Sequence, residues 1–161
     1  MVEQYRPITH TDRSRVKKKV EASERLTQVM EELLETCRKQ GLQVLFLVNA
    51  YDESKKDRRR YNFLQELIES YGYPYLNTND AWDEIGLDVE TDFYDHSHTN
   101  ILGADKYTDY VGAYLLSHYT FTSHKGEKGY AQWDADLVRW NEAAQQLRDV
   151  IREKIKNGES S

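Results

Sequence analysis

The sequence predicts an α/β fold, and three observations carry that prediction. Residues 42–48, LQVLFLV, are apolar almost without a break, as a strand buried on both faces of a parallel sheet is. Segments with apolar residues at helical spacing lie before and after this run. A short strand-like stretch, PYLN at 74–77, follows the second of them. The order helix, strand, helix, strand is that of an α/β layer.

Each element can be justified in turn. Residues 1–13 read as irregular, with Pro7 among polar neighbours. A helix is expected from Ser14 to Gln40, because Leu26, Val29, Met30, Leu33, Leu34 and Cys37 fall on one stripe and Gly41 follows. The basic run RVKKKV at 15–20 reads as a solvated face of that helix, since acids follow at once. After the apolar strand, residues 49–54 leave as a loop. A second helix carries Tyr61, Leu64, Leu67, Ile68 and Tyr71, and Gly72 stops it. Thr78 to Asp95 is loop-like, with Trp82 and Ile85 as anchors. A third helix follows Gly103 and would bury Ala104, Tyr107, Thr108, Val111, Leu115 and His118. Residues 14–119 thus form the α/β body, 120–130 a connector, 131–157 a long last helix packed on the body, and 158–161 a frayed tail. Trp133, Leu137, Trp140, Ala144, Leu147 and Ile151 share one stripe of that last helix. Only two strands stand out, whereas a doubly wound sheet uses about four or five. The pair therefore reads as part of a larger sheet.

The bulk numbers exclude several classes. With 161 residues, 39% hydrophobic and 31% charged, the chain is long and apolar enough for one soluble globular domain. A net charge of −6 argues against nonspecific binding to nucleic acid or to an anionic membrane. Cys37 is the only cysteine, which excludes an internal disulfide. Its place on an apolar stripe makes it core filler rather than a nucleophile. No apolar run is long enough to span a bilayer, and the first residues do not form a signal peptide.

The chemistry concentrates in DFYDHSHTN, residues 92–100. Asp95 and His98 are three apart, just before a helix. On a tight turn a carboxylate at that spacing reaches one ring nitrogen of the histidine, fixes its tautomer and leaves the other nitrogen to take a proton from a hydroxyl. Thr99 or Asn100 can cap the helix that follows, and Gly103 permits close backbone approach. Two other readings stand beside this one. Asp95 and His98 can simply hydrogen-bond a loop. His96 and His98, with Asp92 or Asp95, can also approach one zinc, although His10, His118 and His124 are too scattered to complete its coordination.

The run TDFYDHSHTNILGADKYTDYVGAYL at 91–115 resembles the last catalytic block of the SGNH (GDSL-like) hydrolases, in the branch associated with acyl modification of bacterial cell-surface polysaccharide and teichoic acid. The resemblance extends over roughly residues 20–150, through LQVLFLVNAY, YGYPYLN and the Trp-containing last helix. It implies a three-layer α/β/α, flavodoxin-like fold with a parallel sheet. It makes His98 the general base and Asp95 the acid that orients it, with Asp92 as the alternative acid and Asn100 and Gly103 as accompanying structural positions. Asn49, just after the first strand, is a substrate-side candidate. No metal or organic cofactor is implied. The implied substrate is an acylated glycan or another small ester, and the implied location is extracytoplasmic and membrane-associated.

The departure from the pattern concerns the nucleophile. The family places its serine in a Gly-Asp-Ser-like turn after the first strand, and this chain has no such sequence. Ser14, Ser23 and Ser54 suit helix caps or solvated loops, and Ser97 cannot occupy the nucleophile turn. The chain therefore reads as the C-terminal half of an SGNH-like esterase or acyltransferase, with the N-terminal strands missing and little activity alone. The missing half, or self-association, would cover its open sheet edge. A second reading keeps the scaffold without the chemistry, as a glycan- or protein-binding module using some of its 12 tyrosines.

Overall fold

A computed structural model describes residues 3–160. Among them are five α-helices and a two-stranded parallel sheet, so the chain is mixed α/β. Its contacts divide it into two compact units. One is His10–Trp82; the other joins the N-terminal residues through Thr9 to Asp83 and onward.

In the first unit, α1 spans Glu24–Lys39 and not the longer stretch from Ser14. Ser23 caps it, its Oγ accepting from the Leu26 amide at 3.4 Å, and Leu34 and Cys37 are its buried residues. Residues 16–20 stay outside the helix because other groups take their backbone atoms. Asn62 Nδ2 donates to the Val16 and Lys18 carbonyls at 2.6 and 3.3 Å, and the Val20 amide donates to the Arg59 carbonyl at 3.1 Å.

Strand β1, Phe46–Val48, pairs in parallel with β2, Tyr75–Asn77, in the register Phe46–Tyr75, Leu47–Leu76, Val48–Asn77. β1 is shorter than the apolar run that predicts it, and it is not buried on both faces: Leu47 remains 37% exposed. The reason is that β2 is its only sheet neighbour among the described residues. Between the strands runs α2, Lys55–Ser70. Its start is a reciprocal cap: Ser54 Oγ accepts from the Asp57 amide at 3.1 Å, and the Asp57 carboxylate accepts from the Ser54 amide at 3.4 Å. Where the strands end, Thr78 Oγ1 donates to the Val48 carbonyl at 2.7 Å and the Tyr51 amide donates to Asn79 Oδ1 at 2.9 Å. The short α3, Trp82–Ile85, spans the point where the chain leaves this unit.

The second unit is built on α4, Ile101–His118, and α5, Ala131–Asn157. Tyr5, Ile101, Ala144, Leu147 and Ile151 form one cluster of its core. Arg148 and Asp105 tie α5 to α4 through two contacts of 2.6 and 2.8 Å. The buried face of α4 differs from the expected stripe. Ile101 and Gly103 are buried at its start, whereas Thr108 and His118 are exposed. The stripe of α5 also divides. Its C-terminal half is buried at Ala144, Leu147 and Ile151, but Trp133 is 76% exposed and Leu137, Val138 and Trp140 stand in solvent. No helix among the described residues is long and apolar enough to cross a membrane.

Candidate active site

The stretch 92–100 folds as a small closed loop seated on the start of α4. Phe93 and Thr99 form an antiparallel bridge, and the Tyr94 amide donates to the His98 carbonyl at 3.1 Å. Phe93 is fully buried beneath the loop. From the N-terminal segment, the Arg6 amide donates to the Phe93 carbonyl at 2.7 Å and the Ile8 amide to the Val89 carbonyl at 2.9 Å, which pins the loop's leading side.

Asn100 joins loop to helix. Its Oδ1 accepts from the Leu102 and Gly103 amides, capping α4, while its Nδ2 donates to the Thr91 carbonyl at 2.6 Å. Its own amide donates to the Asp92 carbonyl at 2.9 Å. Gly103 lies in the first turn of α4, two residues inside the helix and not before it. A Cβ there would collide with the Asp92 carbonyl and come within 2.9 Å of the Asp92 side chain and 3.0 Å of Thr99. The position is reserved for glycine by space.

The tip of the loop brings Asp95 and His98 together. His98 Nδ1 lies 2.9 Å from both carboxylate oxygens of Asp95. Asp95 Oδ1 also accepts from the backbone amides of Ser97 at 2.8 Å and His98 at 2.9 Å. Burial raises the Asp95 carboxyl, but the Ser97 amide, the His98 ring and the Ser97 hydroxyl outweigh it, so it sits below the ordinary carboxylate range. Tyr94 stacks on the imidazole, with ring centroids 5.3 Å apart. With Nδ1 donating to the carboxylate, the neutral ring carries its lone pair on Nε2. The side chain is 60% exposed, so the ring stands at the surface rather than inside an enclosed pocket.

The other candidates are placed differently. Asp92 does not face His98. Its side chain is buried, accepting from Lys106 Nζ at 2.6 Å and from the Asp88 amide at 2.8 Å, which makes it the lock between loop and α4. Ser97 Oγ lies 3.2 Å from Asp95 Oδ1 and 3.3 Å from His98 Nδ1. It is therefore beside the nitrogen already committed to the carboxylate and cannot be deprotonated by Nε2. Asn49 belongs to the other unit, where its carbonyl accepts from Asn79 Nδ2 at 3.3 Å. His96 is exposed. Among the described residues, no group of three or more His, Cys, Asp or Glu side chains is placed to hold a metal ion.

Two features escape the sequence reading. Lys106, fourteen residues from Asp92, is read there only as part of a helix, and no local pattern marks it as the partner of a buried acid. In the other unit Arg58 is buried against Glu53 and Asp80, with Nε 2.6 Å from Glu53 and Nη1 3.0 Å from Asp80. Burial acts against the guanidinium, yet Asp80 and Glu53 hold it more firmly protonated than usual. Burial in turn pushes the Glu53 carboxyl up despite Arg58. No family model, curated protein or solved structure matches the chain.

Proposed function

We propose that this chain supplies the base and orienting acid of a serine-dependent ester hydrolase or O-acyltransferase of the SGNH kind. The observation that carries the reading is the Asp95–His98 contact, 2.9 Å at Nδ1, on a loop locked from below by Asp92, Asn100 and Gly103. The carboxylate holds the ring in the tautomer whose Nε2 accepts a proton. A serine supplied by another polypeptide segment attacks an ester carbonyl while Nε2 takes its proton. The tetrahedral intermediate then expels the alcohol, which receives that proton, and an acyl-enzyme remains. Water or a sugar hydroxyl, deprotonated by the same Nε2, releases the acyl group. The acyl donor is an acylated glycan or a small ester. The two-stranded sheet would then be one edge of a three-layer α/β/α sheet completed by the segment bearing the serine.

The test is hydrolysis of p-nitrophenyl acetate by this chain alone and by the chain joined to a segment that bears a Gly-Asp-Ser serine turn. The chain alone should give background rates. The joined protein should hydrolyse the ester, and His98→Ala should lower kcat by about 10²–10⁴-fold. Vigorous hydrolysis by the chain alone, or indifference to His98→Ala, counts against the assignment.

A second reading, a glycan- or protein-binding module, is favoured by one feature of the same unit. Tyr130, Trp133 and Leu137 are exposed around a hollow of about 410 Å³ that His124, stacked on Tyr130 at 4.3 Å, helps to line. Saturable glycan binding that survives His98→Ala and is lost on Trp133→Ala would support it over catalysis.

A further inference from the structure

Charge is unevenly shared between the two units. His10–Trp82 holds thirteen of the 22 lysines and arginines against twelve of the 28 acids, while the remaining residues hold nine and sixteen. Ten of those thirteen cations lie in residues 13–20 and 55–60, with Asp57 the one acid among them. In the sequence these are separate runs, and the first reads as a helix face diluted by the acids that follow. The fold joins them. Arg13 Nε donates to the Glu53 carbonyl at 3.1 Å, Asn62 holds the Val16 and Lys18 carbonyls, Val20 bonds to Arg59, and Lys19 pairs with Glu66. The non-helical segment is thereby strapped along α2, whose first turns carry Lys55, Lys56, Arg59 and Arg60.

Part of this charge is neutralised inside the fold. Arg58 is buried between Glu53 and Asp80, Lys19 is paired with Glu66, and Arg60 lies 3.5 Å from Asp57. Lys17, Lys18, Lys55 and Lys56 are exposed, and no ion pair engages them among the described residues. Arg15, also exposed, has Asp12 nearby. A surface with this many uncompensated ammonium groups attracts an anionic partner over about a Debye length.

We infer that this basic surface docks the protein peripherally on an anionic lipid bilayer. A bilayer needs only exposed cations presented together. A linear polyanion needs a basic groove to follow, and the hollow beside this surface, about 740 Å³, is lined by Glu21, Glu24 and Glu31 with Arg25 the one cation. The free cations are mostly lysines, compact charges on flexible apolar stems, rather than the planar forks that grip individual phosphates. Val20, 37% exposed, sits at the end of the same strap. The chain's excess of acids belongs to the other unit, whereas His10–Trp82 holds thirteen cations against twelve acids.

The test is co-sedimentation of the full chain with vesicles of phosphatidylcholine alone and of phosphatidylcholine with roughly one-third phosphatidylglycerol. Binding should occur only on the anionic vesicles and be released by about 0.5 M salt. Each lysine removed should weaken binding about fivefold. Lys17→Gln, Lys18→Gln, Lys55→Gln and Lys56→Gln together should therefore cost on the order of several hundredfold. Lys125→Gln with Lys128→Gln, exposed lysines of the other unit, should bind as the unaltered chain does. Should the fourfold variant lose its helical circular dichroism, the lipid and salt dependence of the unaltered chain decides. Equal binding to neutral vesicles, no binding to anionic ones at low salt, or an undiminished folded variant overturns the inference. So does retention on inorganic polyphosphate without vesicle binding, which would make the surface a site for a soluble polyanion.

Discussion

Asp95 serves at once as a loop clamp and as the partner of His98, and that double use makes its titration visible. Its folded pKa lies below the ordinary value of 3.8, because the Ser97 amide and His98 favour the ionised form more than burial opposes it. The clamp is therefore at full strength above that value and is lost as pH falls through the lowered folded value. The amide resonances of Ser97 and His98 should shift together in one step below the ordinary aspartate value of 3.8. Asp95→Asn should remove the step, and a step that persists in that variant would show that another group clamps the loop. Gly103 offers a second check at this scale. Gly103→Ala drives a methyl into the Asp92 backbone and should lower stability by about 1–3 kcal/mol, the range for an overpacked site. A melting temperature unchanged from the parent would mean that the loop and α4 are not held as closely as the structure places them.

Among the elements, α5 is one helix by hydrogen bonding but two by packing. Ala144, Leu147 and Ile151 are buried, and Arg148 adds the ion pair to Asp105. Trp133, Leu137, Val138 and Trp140 are exposed. A helix draws most of its stability from a buried face, so amide exchange should be fast over roughly the first three turns and slow from Ala144 onward. Uniform protection along α5 would show that something covers the tryptophans. The same reasoning accounts for α1. Leucine and valine spacing marks its helical stretch well, but the lysine-rich residues before Ser23 are drawn away by Asn62 and Arg59 of α2, a competition that no local pattern encodes.

For the whole molecule, the main consequence lies in the sheet. β1 has one sheet neighbour among the described residues and leaves Leu47 partly in solvent. Unpaired strand edges with apolar residues invite further pairing. The chain should associate in a concentration-dependent way in sedimentation velocity, and a segment that pairs with the free edge of β1 should suppress that association. A sharp monomer at all concentrations would argue that the edge is already adequately protected.

The sequence by itself determined the α/β class, the order of the elements and the limits of α5, because periodicity acts within a few residues; it offered Ser54, and Thr99 or Asn100, as caps, but it began the first helix at Ser14 rather than at the cap Ser23. It also placed Asp95 three residues before His98, a spacing short enough that a turn brings them together. Tertiary structure decided what those patterns could not contain. It gave Asp92 to Lys106 and left Asp95 for the histidine, exposed half of an apolar helix stripe, and divided the chain between Trp82 and Asp83. It also laid two basic runs from distant parts of the chain side by side. In each case the deciding partner lies in another part of the fold, and burial and charge pairing depend on the distance in space between two groups, not on their separation along the chain.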